Sequence, residues 1–207
     1  MNTFDEATHT YSIDGVAVPS VTEICSILTA DKYGEGSGAV EGARARGTAV
    51  HELCEAYDYG TLGEVPGELA GYVQAWAEFC RDYQPTWLYI EHPVWSRKYG
   101  IAGTCDRVGI INGTTCIVDI KTTSSMDRQS KLALLAQLYG YHMLLFDNGI
   151  TTNISKAMGV QLKRDGTYTA HVVKNIETKY ETRGNILFIS CANIYDAKNG
   201  RPKWNKT

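Results

Sequence analysis

The chain has 207 residues, of which 43% are hydrophobic and 21% charged, so it is long enough to bury one substantial hydrophobic core. No apolar run approaches the roughly 20 residues that span a bilayer, and the amino terminus lacks the basic and apolar regions of a signal peptide. The composition therefore predicts no membrane partner. The formal net charge of −3 gives no overall basic excess of the kind expected for a nucleic-acid binder.

The six cysteines are scattered along the chain, and no two of them form a Cys-x-x-Cys pair. This spacing is typical of reduced thiols, and it favours neither a disulfide framework nor a zinc ribbon. We therefore expect a cytoplasmic protein.

The predicted elements begin with a small hairpin at residues 9–18, which turns at Asp14-Gly15. A helix follows Pro19, because Ser20 and Glu23 have the spacing of a capping box. Further on, the patterns predict helices at 40–58 and 66–83, strands at 86–95, 101–111 and 114–121, a helix at 127–146, strands at 154–164 and 167–174, and a helix at 177–197. This order predicts one α/β domain over residues 1–197, with a central mixed sheet flanked by helices, and a loose tail at 198–207.

The hairpin at Asn112-Gly113 carries the most informative spacing in the chain. Asn-Gly favours a two-residue turn in which both central residues have φ > 0, and directly opposed residues then have numbers that sum to 225. Asp106 and Asp119 satisfy this sum, so we expect their carboxylates to face each other across the strand pair. Two opposed carboxylates repel unless a cation or a proton compensates their charge.

Lys121 lies two residues after Asp119 and is therefore predicted to project from the same face of the sheet. Aspartate and lysine are common on exposed strands, so the pair has little meaning by itself. The neighbouring side chains are apolar on both faces, however, which predicts a strand pair that is covered on both sides. Buried charges need partners or a metal, and the three residues together favour a divalent-metal site with a cation beside it.

Four further residues are candidates, each with an ordinary structural alternative. His51 lies on a predicted helix, where a histidine is commonly a packing residue; the zinc peptidase motif His-Glu-x-x-His is incomplete here because Glu55 replaces the second histidine. Glu91 could be an exposed strand residue. Gln137 would need a definite partner if it were buried, and Tyr141, one helical turn later, could be a core aromatic.

Taken in order, these residues resemble the motifs of the PD-(D/E)XK nucleases, in particular the RecB-like and phage-exonuclease branch, which includes the CRISPR adaptation nucleases. The resemblance covers roughly residues 9–145 and depends on Gly47-x-x-x-His51, Glu91, Gly103-x-x-Asp106, Asp119-x-Lys121 and Gln137-x-x-x-Tyr141. It implies a restriction-endonuclease-like core. Glu is more common than Asp at the Asp119 position. Some relatives hold an iron–sulfur cluster, but only Cys191 follows Cys116 here, so we predict no cluster.

The resemblance also implies roles for these residues around Mg²⁺ or Mn²⁺. Lys121 would orient the attacking water and stabilise developing negative charge. Gln137 and Tyr141 would contact the scissile region or the DNA backbone, and Glu91 would bind a second metal or a metal-bound water. The implied ligands of the metal are His51, Asp106, Asp119 and the Ile120 carbonyl.

The function implied by the resemblance is a metal-dependent DNA nuclease, and most closely an exonuclease of a phage or prophage recombination system in a bacterial host cell. Linear double- or single-stranded DNA would be its substrate. A phage single-strand annealing protein is a candidate partner, and formation of a homo-oligomer is left open. Two alternatives remain: a structure-specific endonuclease on the same fold, and a catalytically silent nucleic-acid-binding module.

Overall fold

The computed structural model of the chain describes residues 1–5, 8–30, 38–150, 153–174, 176 and 183–200. Its strands are β1 (Asn2–Asp5), β2 (Thr10–Ile13), β3 (Val16–Val18), β4 (Thr86–Ser96), β5 (Ile101–Ile111), β6 (Thr114–Lys121), β7 (Ile154–Leu162) and β8 (Tyr168–Lys174). Its helices are α1 (Val21–Cys25), α2 (Gly38–Asp58), α3 (Ala70–Tyr83), α4 (Arg128–Asp147) and α5 (Arg183–Asn199).

The central sheet has five strands in the order β4-β5-β6-β7-β8. All neighbouring pairs are antiparallel except β6 and β7, which are parallel and are connected through α4. A parallel pair needs a long crossover, and the 20 residues of α4 supply it. The predicted α/β architecture with a central mixed sheet is therefore confirmed, and it is consistent with a restriction-endonuclease-like core.

Helices cover both faces of the sheet, and each face has its own hydrophobic core. On one face, α1, α4 and α5 pack over residues that include Val108 and Ile117. On the other face, α2 and α3 pack over Val118 and Ile120, with Trp76 at the centre of this second core. Alternate residues of β6 therefore enter different cores, as the apolar pattern on both faces of the hairpin predicted.

The close packing of α4 against α1 and α5 depends on Gly140. A Cβ atom at this position would lie 2.6 Å from the Phe188 ring and 2.8 Å from Val21. The glycine therefore lets three helices meet over one face of the sheet.

At the amino terminus, β1, β2 and β3 form a separate antiparallel sheet, and β1 is a strand that the sequence patterns did not predict. The capping box is confirmed: Ser20 Oγ accepts a hydrogen bond from the Glu23 amide, and the Glu23 carboxylate accepts one from the Ser20 amide. The cap begins α1 immediately after β3, which brings Thr22 towards the central sheet. Thr22 contacts Gln137 of α4 there.

Several predicted boundaries shift by a few residues. The helix predicted from residue 66 begins at Ala70, because residues 66–69 form a turn in which Pro66 accepts hydrogen bonds from the Leu69 and Ala70 amides. Helix α5 extends to Asn199, two residues into the segment predicted as a tail. Residues 177–182, predicted as the start of this helix, and residues 201–207 lie outside the described part of the chain. No helix among the described residues has the length and apolar character needed to cross a membrane.

Candidate metal centre

The candidate site lies where strands β5 and β6 separate. Their backbone pairing has the predicted register, from Ile111↔Thr114 to Arg107↔Val118, and both Asn112 and Gly113 have positive φ as the predicted turn requires. The paired ladder ends there, one residue before Asp106 and Asp119. The Asp106 side chain makes the next contact between the strands, since its Oδ2 accepts a hydrogen bond from the Ile120 amide at 2.7 Å.

Three side chains from different elements converge at this point. His51 of α2, Glu91 of β4 and Asp106 of β5 each offer one ligand atom, and these atoms all lie within 4.8 Å of one another. His51 Nδ1 is 3.4 Å from Glu91 Oε1 and 3.7 Å from Asp106 Oδ2. The other ring nitrogen, Nε2, lies 3.2 Å from the Ile120 carbonyl oxygen. The structure thus brings together four of the predicted metal-site residues.

Both ring nitrogens of His51 face oxygen atoms, which favours the doubly protonated ring when no metal is bound. Burial opposes the charge, but the Asp106 and Glu91 carboxylates outweigh this effect and raise the pKa of His51 to about 9. Burial also raises the pKa of Asp106 to about 7, with Asp119 and Glu91 adding to the rise and His51 opposing it. The metal-free site therefore holds protons that a metal ion would displace.

Asp119 and Lys121 form a second group on the face of the sheet that α4 covers. Asp119 Oδ2 lies 2.8 Å from Lys121 Nζ, and Nζ donates a hydrogen bond to Gln137 Oε1 at 2.9 Å. Burial opposes the charge of Lys121, but Asp119 and Asp106 raise its pKa, so the ammonium stays protonated. Gln137 therefore has the definite partner that its buried position required.

The Gln137 amide is oriented from its other side by Thr22. Gln137 Nε2 donates to Thr22 Oγ1 at 3.1 Å, and the Tyr141 hydroxyl lies 3.4 Å from the same oxygen. Tyr141 is buried against Gly103, where a Cβ atom would lie 3.0 Å from the Tyr141 ring. Gly103 of the Gly103-x-x-Asp106 motif thus makes room for the aromatic ring on α4.

Asp106 and Asp119, which the hairpin register predicts to face each other, make different contacts. Asp106 turns towards the His51–Glu91 group through its bond to Ile120, whereas Asp119 turns towards Lys121. The grouping of His51, Glu91 and Asp106 within 4.8 Å does not include Asp119. Charge accounts for the difference, because Lys121 forms an ion pair with Asp119 and the two carboxylates repel each other.

The donor set fits a divalent metal ion. Two carboxylates, an imidazole and a backbone carbonyl are the oxygen and nitrogen ligands that Mg²⁺ and Mn²⁺ accept, the imidazole favouring Mn²⁺. Asp119 adds a second observation: its side chain is buried, and neither oxygen accepts a hydrogen bond of normal angular geometry from the described residues. Buried acceptors normally have partners, and a metal ion would supply one for the Asp119 carboxylate.

Two residues of the site region were missed by the sequence patterns. Arg107 is fully buried, and its guanidinium bridges Glu91 and Asp58. The available signal was its position: a cation next to Asp106, on a strand covered on both faces, must be buried against an acidic partner. Thr22 gave no signal, since a threonine in the first turn of a helix is common.

No protein-family model matches this sequence, and no curated protein matches it significantly. Among solved structures, the chain is similar to that of SSO0001, with a TM-score of 0.41 and 16% identity over 79% of this chain and 75% of that chain. It is also similar to LHK-Exo, solved in complex with dAMP, with a TM-score of 0.36 and 13% identity over 87% and 92% of the two chains. Both TM-scores are below 0.5, so neither similarity assigns a function to this chain.

Proposed function

We propose that this protein is a metal-dependent DNA nuclease that hydrolyses phosphodiester bonds. The observation that carries the proposal is the convergence of His51, Glu91 and Asp106 within 4.8 Å, with the Lys121 ammonium close enough to act on the charges of His51 and Asp106. His51 and Glu91 are partly buried and Asp106 is buried, and withdrawing charged groups from water in this way carries a desolvation cost that a metal site would explain.

The metal ion, Mg²⁺ or Mn²⁺, would supply Lewis-acid chemistry at the scissile phosphate. His51, Asp106 and the Ile120 carbonyl would hold it, and Asp119 and Glu91 would complete the set from the two sides of the site. Asp119 would have to turn away from Lys121 to reach the ion, and this turn would break the ion pair with Lys121 but no hydrogen bond of normal geometry from the described residues.

Lys121 would orient the attacking water and stabilise the negative charge that develops on the phosphate. Its ammonium donates a hydrogen bond to Gln137 Oε1, and this bond would hold it in position after Asp119 turns to the metal. Preorganisation of this kind lowers the barrier because the donor need not reorient during the reaction. Gln137 and Tyr141 would contact the DNA backbone near the scissile bond.

The finer proposal is an exonuclease of a phage or prophage recombination system that acts on linear DNA in the bacterial cytoplasm. It is supported by the order and spacing of the five motifs. A single-strand annealing protein as partner and assembly into a homo-oligomer belong to the same proposal. An iron–sulfur cluster does not, since the cysteines of this chain lack the required arrangement.

One assay tests the proposal and its alternatives. End-labelled linear DNA and closed-circular DNA are incubated with Mg²⁺, with Mn²⁺ or with EDTA, and Asp106→Asn serves as the control protein. Metal-dependent loss of label from linear DNA, with intact circles, is the expected result. Nicking of the circles would identify an endonuclease. DNA binding without cleavage would identify a silent binding module, which the presence of His51, Asp106, Asp119 and Lys121 makes the less favoured outcome.

A further inference from the structure

Arg107 is the largest charged side chain in the interior of the described structure, and it is fully buried. Its Nε donates to Asp58 Oδ2 at 2.7 Å, and its Nη1 donates to Glu91 Oε1 at 2.8 Å and to the Asp106 backbone carbonyl at 2.6 Å. One guanidinium therefore links the carboxyl end of α2 to two strands of the candidate metal centre. A planar fork with several fixed donors suits this bridging position, and a lysine has only one nitrogen to offer.

Glu91 needs such support because its backbone lies in the left-handed region, with φ of 42°. The residues on either side form ordinary pairs with β5, Ile90↔Arg107 and His92↔Cys105, so the distortion is confined to Glu91. A non-glycine residue persists in this conformation only where its surroundings hold it. The contacts that hold the Glu91 side chain are Arg107 on one side and His51 on the other.

We infer that Arg107 is a positioning residue that holds the Glu91 carboxylate at the metal centre. The inference rests on the proposed metal site. A guanidinium has only donors and cannot bind a metal ion, so Arg107 would act through Glu91, whose Oε1 atom it shares with His51.

The guanidinium is itself held in place by residues of α2 and α3. Asp58 balances its charge, and the other oxygen of Asp58 accepts a hydrogen bond from Trp76 Nε1 at 3.0 Å. The Trp76 ring lies 5.6 Å from the guanidinium carbon, within the range of a cation–π contact. Asp58 of α2 and Trp76 of α3 thereby hold the Arg107 guanidinium that contacts Glu91.

Charge and position have opposite effects on metal binding, so the test must separate them. Removing Arg107 alone would delete a positive charge near the metal and leave Asp58 buried without a partner. Asp58→Asn combined with Arg107→Met removes both members of the ion pair, which leaves the local net charge unchanged. The side-chain amide oxygen introduced at position 58 can still accept the Trp76 hydrogen bond, and methionine fills the space of the arginine stem.

Four proteins complete a double-mutant cycle: the wild type, Glu91→Gln, the Asp58→Asn/Arg107→Met variant, and the variant that carries all three exchanges. Mn²⁺ affinity is measured by isothermal titration calorimetry without DNA. We expect Glu91→Gln to weaken Mn²⁺ binding roughly tenfold or more in the wild-type background, since Glu91 belongs to the proposed ligand set and even the supporting partners of metal ligands contribute about 10–100-fold. In the Asp58→Asn/Arg107→Met background the same exchange should have an effect of less than about twofold, because Glu91 is no longer held in place.

Equal effects of Glu91→Gln in both backgrounds would overturn the positioning role of Arg107 while leaving the metal site intact. A wild type that binds no Mn²⁺ would instead refute the metal centre itself. If the Asp58→Asn/Arg107→Met variant does not fold, Arg107→Lys tests the positioning role instead. Lysine keeps the positive charge but cannot bridge Asp58 and Glu91. Weaker Mn²⁺ binding by a folded Arg107→Lys protein supports the inference, and wild-type affinity contradicts it.

Discussion

The Asp106 carboxylate takes the place of a backbone partner for Ile120. Its Oδ2 accepts the Ile120 amide hydrogen at 2.7 Å, directly beyond the last backbone pair between β5 and β6. This bond directs Asp106 towards His51, and the adjoining Ile120 carbonyl also faces His51. The candidate metal ligands Asp106, Ile120 and His51 therefore meet at the point where the backbone pairing of β5 and β6 ends.

Asp106→Asn should abolish metal-dependent cleavage while the protein stays folded. The asparagine amide oxygen can still accept the Ile120 hydrogen bond, and loss of a buried carboxylate with a raised pKa removes a charge that burial disfavours. We expect thermal stability without metal to be maintained at about pH 8, and the rise in melting temperature on adding Mn²⁺ to be lost. Cleavage at the wild-type rate would refute the assignment.

Lys121→Ala should lower kcat by about two orders of magnitude or more and leave Mn²⁺ affinity nearly unchanged, because a positioned cation acts mainly on the transition state. Steady-state kinetics and calorimetry measure the two effects separately. Lys198→Ala, at the exposed end of α5, makes the same charge change and should retain activity. If DNA affinity fell with kcat unaffected, Lys121 would be a phosphate anchor only.

Thr22→Val should reduce kcat roughly two- to tenfold, the range expected when one hydrogen bond in a positioning chain is lost. Valine keeps the shape of the side chain but cannot accept the hydrogen bond from Gln137, so Gln137 is free to turn away from Lys121. Thr22→Ser retains the hydroxyl and should remain close to wild type. Equal activities of the valine and serine variants would show that the Thr22 hydroxyl does not position Gln137.

His51→Ala tests the histidine as a metal ligand. Loss of an imidazole ligand should weaken Mn²⁺ binding more than Mg²⁺ binding, since imidazole suits the transition metal better. Calorimetric titrations with each ion measure the ratio. An unchanged ratio together with a lower melting temperature would make His51 a packing residue.

Metal stabilisation should increase with pH. The pKa of His51 rises from 6.5 to about 9 on folding, so its contribution to stability is complete below 6.5 and is lost as the pH rises through about 9. The pKa of Asp106 rises from 3.8 to about 7, so its contribution is lost between those values. Metal must displace both protons, and the melting-temperature increase caused by Mg²⁺ should therefore be larger at about pH 8 than at about pH 6.

The control for this experiment is a protein that carries both His51→Ala and Asp106→Asn. It lacks the two groups whose protons the metal displaces, so its melting temperature should respond little to Mg²⁺ at either pH. A wild-type response that is equal at both values would contradict the protonated, metal-free site.

Local sequence determined the hairpin and its register. Asn112-Gly113 sets a turn whose two central residues need positive φ, and the apolar alternation then fixes which residues oppose each other. The capping box at Ser20 and the crossover helix α4 were predictable for the same reason: each depends on residues a few positions apart.

Only the tertiary structure decided which charged side chains contact each other. His51 meets Glu91 across 40 residues of chain and Ile120 across 69, and no local pattern encodes such distances. The turning of Asp119 to Lys121, the left-handed backbone of Glu91 and the burial of Arg107 are all set by these long-range contacts. The physical reason is that a buried charge takes the orientation of its nearest opposite charge, and the packing of α2, α3 and α4 determines which charge that is.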